Sequence, residues 1–132
     1  MAQKYIIGDL VRYTSLYKEP IAEICEIRET SYLIRYMNGN FAKVTNEEIK
    51  PIPLTKEILE KNGWNGATHS KQSDDNTKIL YMTFKRKGYP TIKVSQDLKI
   101  TCELSPFIVK LESVSDLQHL LFGLKLNSKM EV

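Results

Sequence analysis

Apolar residues in the first fifty positions come in short runs separated by turn signals. Tyr5-Ile6-Ile7 leads into Gly8-Asp9, and Leu10-Val11-Arg12-Tyr13 follows. After a loop through Tyr17-Lys18-Glu19-Pro20, residues 21–27 are rich in β-branched side chains, which favour a pleated strand. Tyr32, Ile34 and Tyr36 then alternate with Leu33, Arg35 and Met37, the two-residue period of a strand. Asn38-Gly39 is the signal of a tight hairpin turn with two left-handed residues. Phe41-Ala42-Lys43-Val44 returns, and Asn46-Glu47-Glu48 predicts one helical turn before Ile49. About five short strands in about fifty residues predict a closed or nearly closed small barrel, because closure removes exposed strand edges.

The period changes after that. The prolines of Pro51-Ile52-Pro53-Leu54 cannot donate ladder hydrogen bonds, so the last strand must end there. Thr55 predicts a helix N-cap, Glu57 suits the first turn, and Leu54 and Leu59 are placed to staple it. Asn62-Gly63 ends that short helix, and Trp64 is expected in the core. Residues 65–78 have almost no apolar content and predict a mobile loop. Beyond them the expectation is a meander. It comprises a strand from Ile79 to Phe84, a basic turn at Lys85-Arg86-Lys87-Gly88, a return from Tyr89 to Val94, and two further alternating runs. In those runs Leu98, Ile100, Cys102 and Leu104, then Phe107, Val109 and Leu111, mark the apolar face. Four strands with one apolar face need a cover. The C-terminal helix is expected to supply it, through a capping box at Ser115-Asp116-Leu117-Gln118 and a stripe of Leu117, Leu120, Leu121 and Leu124.

The predicted fold class is therefore α+β: an N-terminal small β-barrel over 1–52, a linker and short helix over 53–64, and an antiparallel four-stranded meander covered by a C-terminal helix over 65–132, packed as one unit. A chain of 132 residues is long enough to bury a core without staples. Cys25 and Cys102 lie far apart in alternating stretches and are expected as free thiols. Met1-Ala2-Gln3-Lys4 lacks the basic-then-apolar start of a secretion signal, and no apolar run approaches a membrane span. The expectation is a cytoplasmic protein without a membrane partner. Charge balances over residues 1–52, whereas residues 76–112 hold seven Lys/Arg against three Asp/Glu. The net +3 therefore resides in the second half.

Three pieces of the sequence carry a resemblance. They are Ile7-Gly8-Asp9-Leu10-Val11, the run from Ile49 through Pro51-Ile52-Pro53-Leu54-Thr55 to Trp64, and Asp116-Leu117-Gln118-His119-Leu120 with the residues after it. Together they resemble the small uncharacterised proteins encoded by gut Bacteroidetes and their tailed phages. The resemblance implies a phage or mobile-element protein acting inside a bacterial host and transfers no catalytic residue. Residues 5–52 separately resemble SH3-like or Tudor-like barrels, a likeness of fold alone.

Chemistry-bearing constellations are sparse. His69 and His119 have no His or Cys at ligand spacing, so no metal and no cofactor is expected. The adjacent pairs Glu47-Glu48 and Asp74-Asp75 read as solvated loop carboxylates, and no nucleophile motif or glycine-rich phosphate loop occurs. The reading is a non-enzymatic protein-binding accessory protein that engages a host or phage protein. Its candidate contact residues are Tyr13, Tyr17 and Tyr36 in the barrel, with Phe122, which falls off the leucine stripe and offers a homodimer contact. The alternative is a nucleic-acid-binding protein that uses Lys85, Arg86 and Lys87 with Lys78 and Lys93. A small-ligand-binding protein or an enzyme is the second alternative.

Overall fold

A computed structural model describes residues 5–132 apart from Ser73, Asp75, Asn76 and Thr77, and apart from the side chains of Lys71 and Ile79. The chain divides into two units. One runs through Pro53 and resumes at Ser113–Met130; the other comprises Leu54–Glu112 with Glu131–Val132.

The first unit holds β1 (Leu10–Tyr13), β2 (Ile21–Ile27), β3 (Tyr32–Tyr36), β4 (Asn40–Val44) and β5 (Ile49–Pro51) in the order β4-β3-β2-β1-β5, all antiparallel. The expected closed barrel is instead an open five-stranded sheet with β4 and β5 as its edges. The turn chemistry acts as read. Asn38 and Gly39 both take positive φ at the β3–β4 turn, and Asn46–Glu48 forms one 3-10 turn. The inner face buries Val11, Ala22, Ile24, Ile34, Val44 and Ile49 with Tyr5.

The cover of this sheet is α2 (Val114–Gly123), which had been expected over the meander. Its cap is Ser113 with Asp116, two residues before the expected box: the Ser113 hydroxyl accepts from the Asp116 N–H, and the Asp116 carboxylate accepts from the Ser113 N–H. The helix buries Leu117 and Leu121 and leaves Leu124 exposed as its C-cap. It also buries Gln118, whose amide ties the helix to the start of β1. Its Oε1 accepts from the Leu10 N–H at 2.9 Å, and its Nε2 donates to the carbonyls of Gly8 at 2.9 Å and Ser128 at 3.2 Å.

In the second unit, α1 (Lys56–Lys61) is capped by the Thr55 hydroxyl, which accepts from the Ile58 N–H, and it ends at Asn62 before a left-handed Gly63. The sheet has five strands rather than four: β6 (Asn65–Gln72), β7 (Lys78–Lys85), β8 (Ile92–Ser95), β9 (Ile100–Leu104) and β10 (Phe107–Lys110), in the order β10-β9-β8-β7-β6. The extra strand occupies most of the expected loop 65–78, and part of that loop lies outside the described residues. β6 pairs with β7 along its whole length, from Asn65 opposite Lys85 to Gln72 opposite Lys78. Its polar composition suits an edge strand, which resists further pairing. Gly66 is required there, since a Cβ would lie 2.7 Å from the Phe84 ring. Trp64, Phe84, Ile92, Val94, Ile100, Cys102 and Leu111 are buried, and both cysteines are free thiols.

Removing the Gln118 amide leaves a buried N–H and two carbonyls without it. Gln118→Ala is therefore expected to cost about 2–3 kcal/mol in urea unfolding. Phe122→Ala, on the exposed face of the same helix, should stay within about 0.5 kcal/mol. Equal effects would mean that the amide is not what holds the helix.

Candidate functional site

Alternation gives the second sheet two chemically different faces. Across the register, Phe84 faces Ile92 and Gly66, Met82 faces Val94 and Thr68, and Val94 faces Ile100. This is the inner face, carrying Leu80, Met82, Phe84, Ile92, Val94, Ile100 and Cys102. Leu54 and α1 lie against part of it. Where they stop, three adjoining clefts open, of about 310, 290 and 200 Å³. The largest is lined by Leu54–Glu57, Val94, Leu98 and Ile100. The second adds Thr101, Lys110, Leu111 and Glu112, and the third is bordered by Thr68, Leu80, Met82 and Val94.

Leu98 lines all three clefts. It belongs to the loop Gln96-Asp97-Leu98 between β8 and β9, closed by the Leu98 N–H on the Ser95 carbonyl and the Ser95 N–H on the Lys99 carbonyl. Such three-residue loops place their last residue in the left-handed region, normally a glycine position. Leu98 has φ +65°. A leucine there costs about 1–2 kcal/mol of steric strain, and burial does not recover it, because Leu98 is 66% exposed. Leu80 is 42% exposed on the same face. The apolar period had placed Leu98 among the inward residues of a strand; that strand starts only at Ile100. Lys56 and Lys99 stand at the rim with Glu57 and Glu112; Lys110 borders the second cleft from the end of β10, where the register places it on the opposite face.

The outer face is polar and aromatic around β6–β8, with exposed Ile108 on β10 at the far edge. His69 stacks on Tyr81 with centroids 5.1 Å apart and planes 20° from parallel, and its Nε2 lies 2.8 Å from the Thr83 hydroxyl. The Lys93 ammonium sits 4.6 Å from the Tyr81 ring centre. His69 was weighed in the sequence only as a metal ligand, and Tyr81 was not singled out. Their pairing depends on β6 being a strand, and the polar composition of that segment concealed it.

The candidate residues named from sequence separate. Lys85 and Lys93 share the outer face, whereas Lys78, opposite Gln72, falls by parity on the other one. Arg86 is not a free basic tip: its guanidinium lies 3.9 Å from the Tyr89 ring centre and 5.1 Å from that of Trp64. Lys87 is exposed in the turn. In the first unit Tyr13 and Tyr36 meet edge to face at 5.2 Å and pack against the core. Tyr17 projects from its loop with Lys18 over its ring, and Phe122 is 66% exposed on α2.

One titratable pair was unforeseen. Asp9, read as a turn residue, is fully buried. Its Oδ2 lies 2.6 Å from His119 Nε2 and accepts from the Ile6 N–H at 2.9 Å. Burial holds the Asp9 carboxyl above the usual aspartate range and Asp116 pushes the same way, while the Ile6 N–H and His119 draw it back. An Asp–His pair becomes a catalytic base when it activates a nucleophile. Among the described residues, the Ser113 and Ser115 hydroxyls bond to each other at 3.0 Å, and no hydrogen bond joins either to His119. The pair fastens α2 to the Gly8-Asp9 turn. No group of three His, Cys, Asp or Glu among the described residues converges as metal ligands would. No helix among them is long and apolar enough to cross a membrane. No protein-family model, curated protein or solved structure matches the chain.

Two outcomes follow from this geometry. An acid whose pKa rises on folding binds its proton more tightly in the folded state, so its contribution falls as pH rises from the unfolded value through the folded one. Wild-type stability relative to Asp9→Asn, which keeps an acceptor for Ile6, should therefore fall as pH is raised through that window. A difference that rises would mean the carboxylate is favoured in its charged form. At the β8–β9 loop, Leu98→Gly relieves the left-handed strain while adding unfolded-chain entropy. Its stability should stay within about 0.5 kcal/mol of wild type in urea unfolding; a loss beyond about 1.5 kcal/mol would mean that Leu98 packs as core.

Proposed function

We propose that the protein is a non-enzymatic binding module whose inner-face clefts on the second sheet dock an apolar segment of another protein. One observation carries the reading: Leu98 stands exposed in a strained backbone conformation, at the meeting point of three clefts. Strain without compensating burial is a mark of function rather than of folding. Each cleft has the size to take a large apolar side chain, and several such anchors packed around a central residue are the usual core of a protein interface.

The surface differs from the one read in the sequence. Tyr13 and Tyr36 are occupied with each other and the first core. The setting, a phage- or mobile-element-encoded accessory protein in the cytoplasm of a bacterial host, rests on the resemblance of the Pro-Ile-Pro-Leu-Thr connector and the C-terminal helix.

The test is selection of displayed peptides on the wild-type protein, with Leu98→Asp as counter-target, followed by calorimetric titration of the selected peptides. Peptides with large apolar anchors should emerge, and Leu98→Asp should weaken them about 10-fold or more. Selected peptides that bind Leu98→Asp equally well, or a selection that yields none, would refute the reading.

A further inference from the structure

The opposite face of the same sheet carries a second kind of site. Three contacts meet there: the stacked His69 and Tyr81 rings, the Lys93 ammonium against Tyr81, and the Thr83 hydroxyl on His69; the register places Lys85 and Lys110 on the same face. Thr83, Lys93, Thr101 and Lys110 stand directly opposite one another on β7, β8, β9 and β10, forming one row across four strands. Strands lie about 4.8 Å apart, so Lys93 and Lys110 are roughly 10 Å apart along that row. Among the described residues no ion pair joins Lys85, Lys93 or Lys110 to a carboxylate, whereas Lys99 lies 3.6 Å from Asp97. By parity Glu103 falls on this face too, at the β9–β10 end.

We infer that this face binds single-stranded nucleic acid. Charge alone would suit any polyanion; the aromatic pair decides the class. An open sheet that presents π-faces between lysines is how sequence-tolerant single-strand sites are built, because each base has a face to stack and each nucleotide a phosphate to neutralise. A duplex keeps its base faces inside the stack and offers Tyr81 nothing. In the free protein the Lys93 ammonium lies against the ring where a base would go. A stacking base displaces that flexible side chain onto the neighbouring phosphate, so one residue shields the platform when empty and grips the backbone when filled.

The experiment is fluorescence anisotropy with labelled 20-nucleotide oligothymidine, a 20-base-pair duplex and poly-glutamate, at low and at physiological salt. Single strands should bind more tightly than the duplex and poly-glutamate. Tyr81→Ala should weaken binding about 5- to 100-fold, with Tyr81→Phe close to wild type. Lys93→Gln and Lys110→Gln should each make the salt dependence shallower by about 0.7 in the log–log slope. Leu98→Asp should change nothing, which keeps this site separate from the inner-face clefts. No binding at low salt, equal binding of poly-glutamate, preference for the duplex, or full binding by Lys93→Gln and Tyr81→Ala would each overturn the inference.

Discussion

A six-residue helix cannot cover five strands. At 1.5 Å per residue α1 is about 9 Å long, while five strands at their usual spacing span roughly 19 Å. Leu54 and Trp64 extend the cover, and beneath them Phe84, Ile92, Ile100 and Cys102 are fully or nearly fully buried. Past that cover the apolar period of β7 continues to Leu80, which reaches water. The clefts around Leu98 follow from this mismatch between a long apolar face and a short lid. Leu98 adds to the exposed apolar surface from the loop, in a conformation that glycine would adopt without strain.

The first unit solves the same covering problem differently. Its ten-residue helix buries Leu117 and Leu121 on the sheet and is fixed in position by polar contacts: the Gln118 amide against the backbone of residues 8, 10 and 128, and His119 against Asp9. Buried polar groups specify one register because any slip leaves them unsatisfied at a cost of about 1–3 kcal/mol each. The helix is thereby tied to the Gly8-Asp9 turn at the far end of the chain, a constraint with no local sequence signal.

What the sequence made legible was local. Asn38-Gly39, the Thr55 cap, the Asn62-Gly63 stop and the buried Trp64 all stand where their chemistry required. What it concealed was pairing at a distance. β6 has no apolar alternation because it is an edge strand held by hydrogen bonds to β7, so the His69–Tyr81 stack could not be anticipated. The leucine stripe of α2 was visible, but not which sheet it would cover. Gln118 was read only as part of a capping box, whereas two of its three partners lie more than a hundred positions away. Leu98 was misread because a left-handed leucine continues the apolar period of the strand that follows it. Of the candidate basic residues, Lys85 and Lys93 lie together on the outer face, while Arg86 is engaged with Trp64 and Tyr89.

The most direct test of the central claim, that the inner face of the second sheet is open beyond its short helix, is methyl NMR in the presence of an inert soluble gadolinium chelate. Methyls of Leu98 and Leu80 should relax as surface methyls do, while those of Val94, Ile100 and Leu59 remain shielded. Shielding of Leu98 and Leu80 to the level of Val94 would show that the face is already covered in solution and would contradict the account.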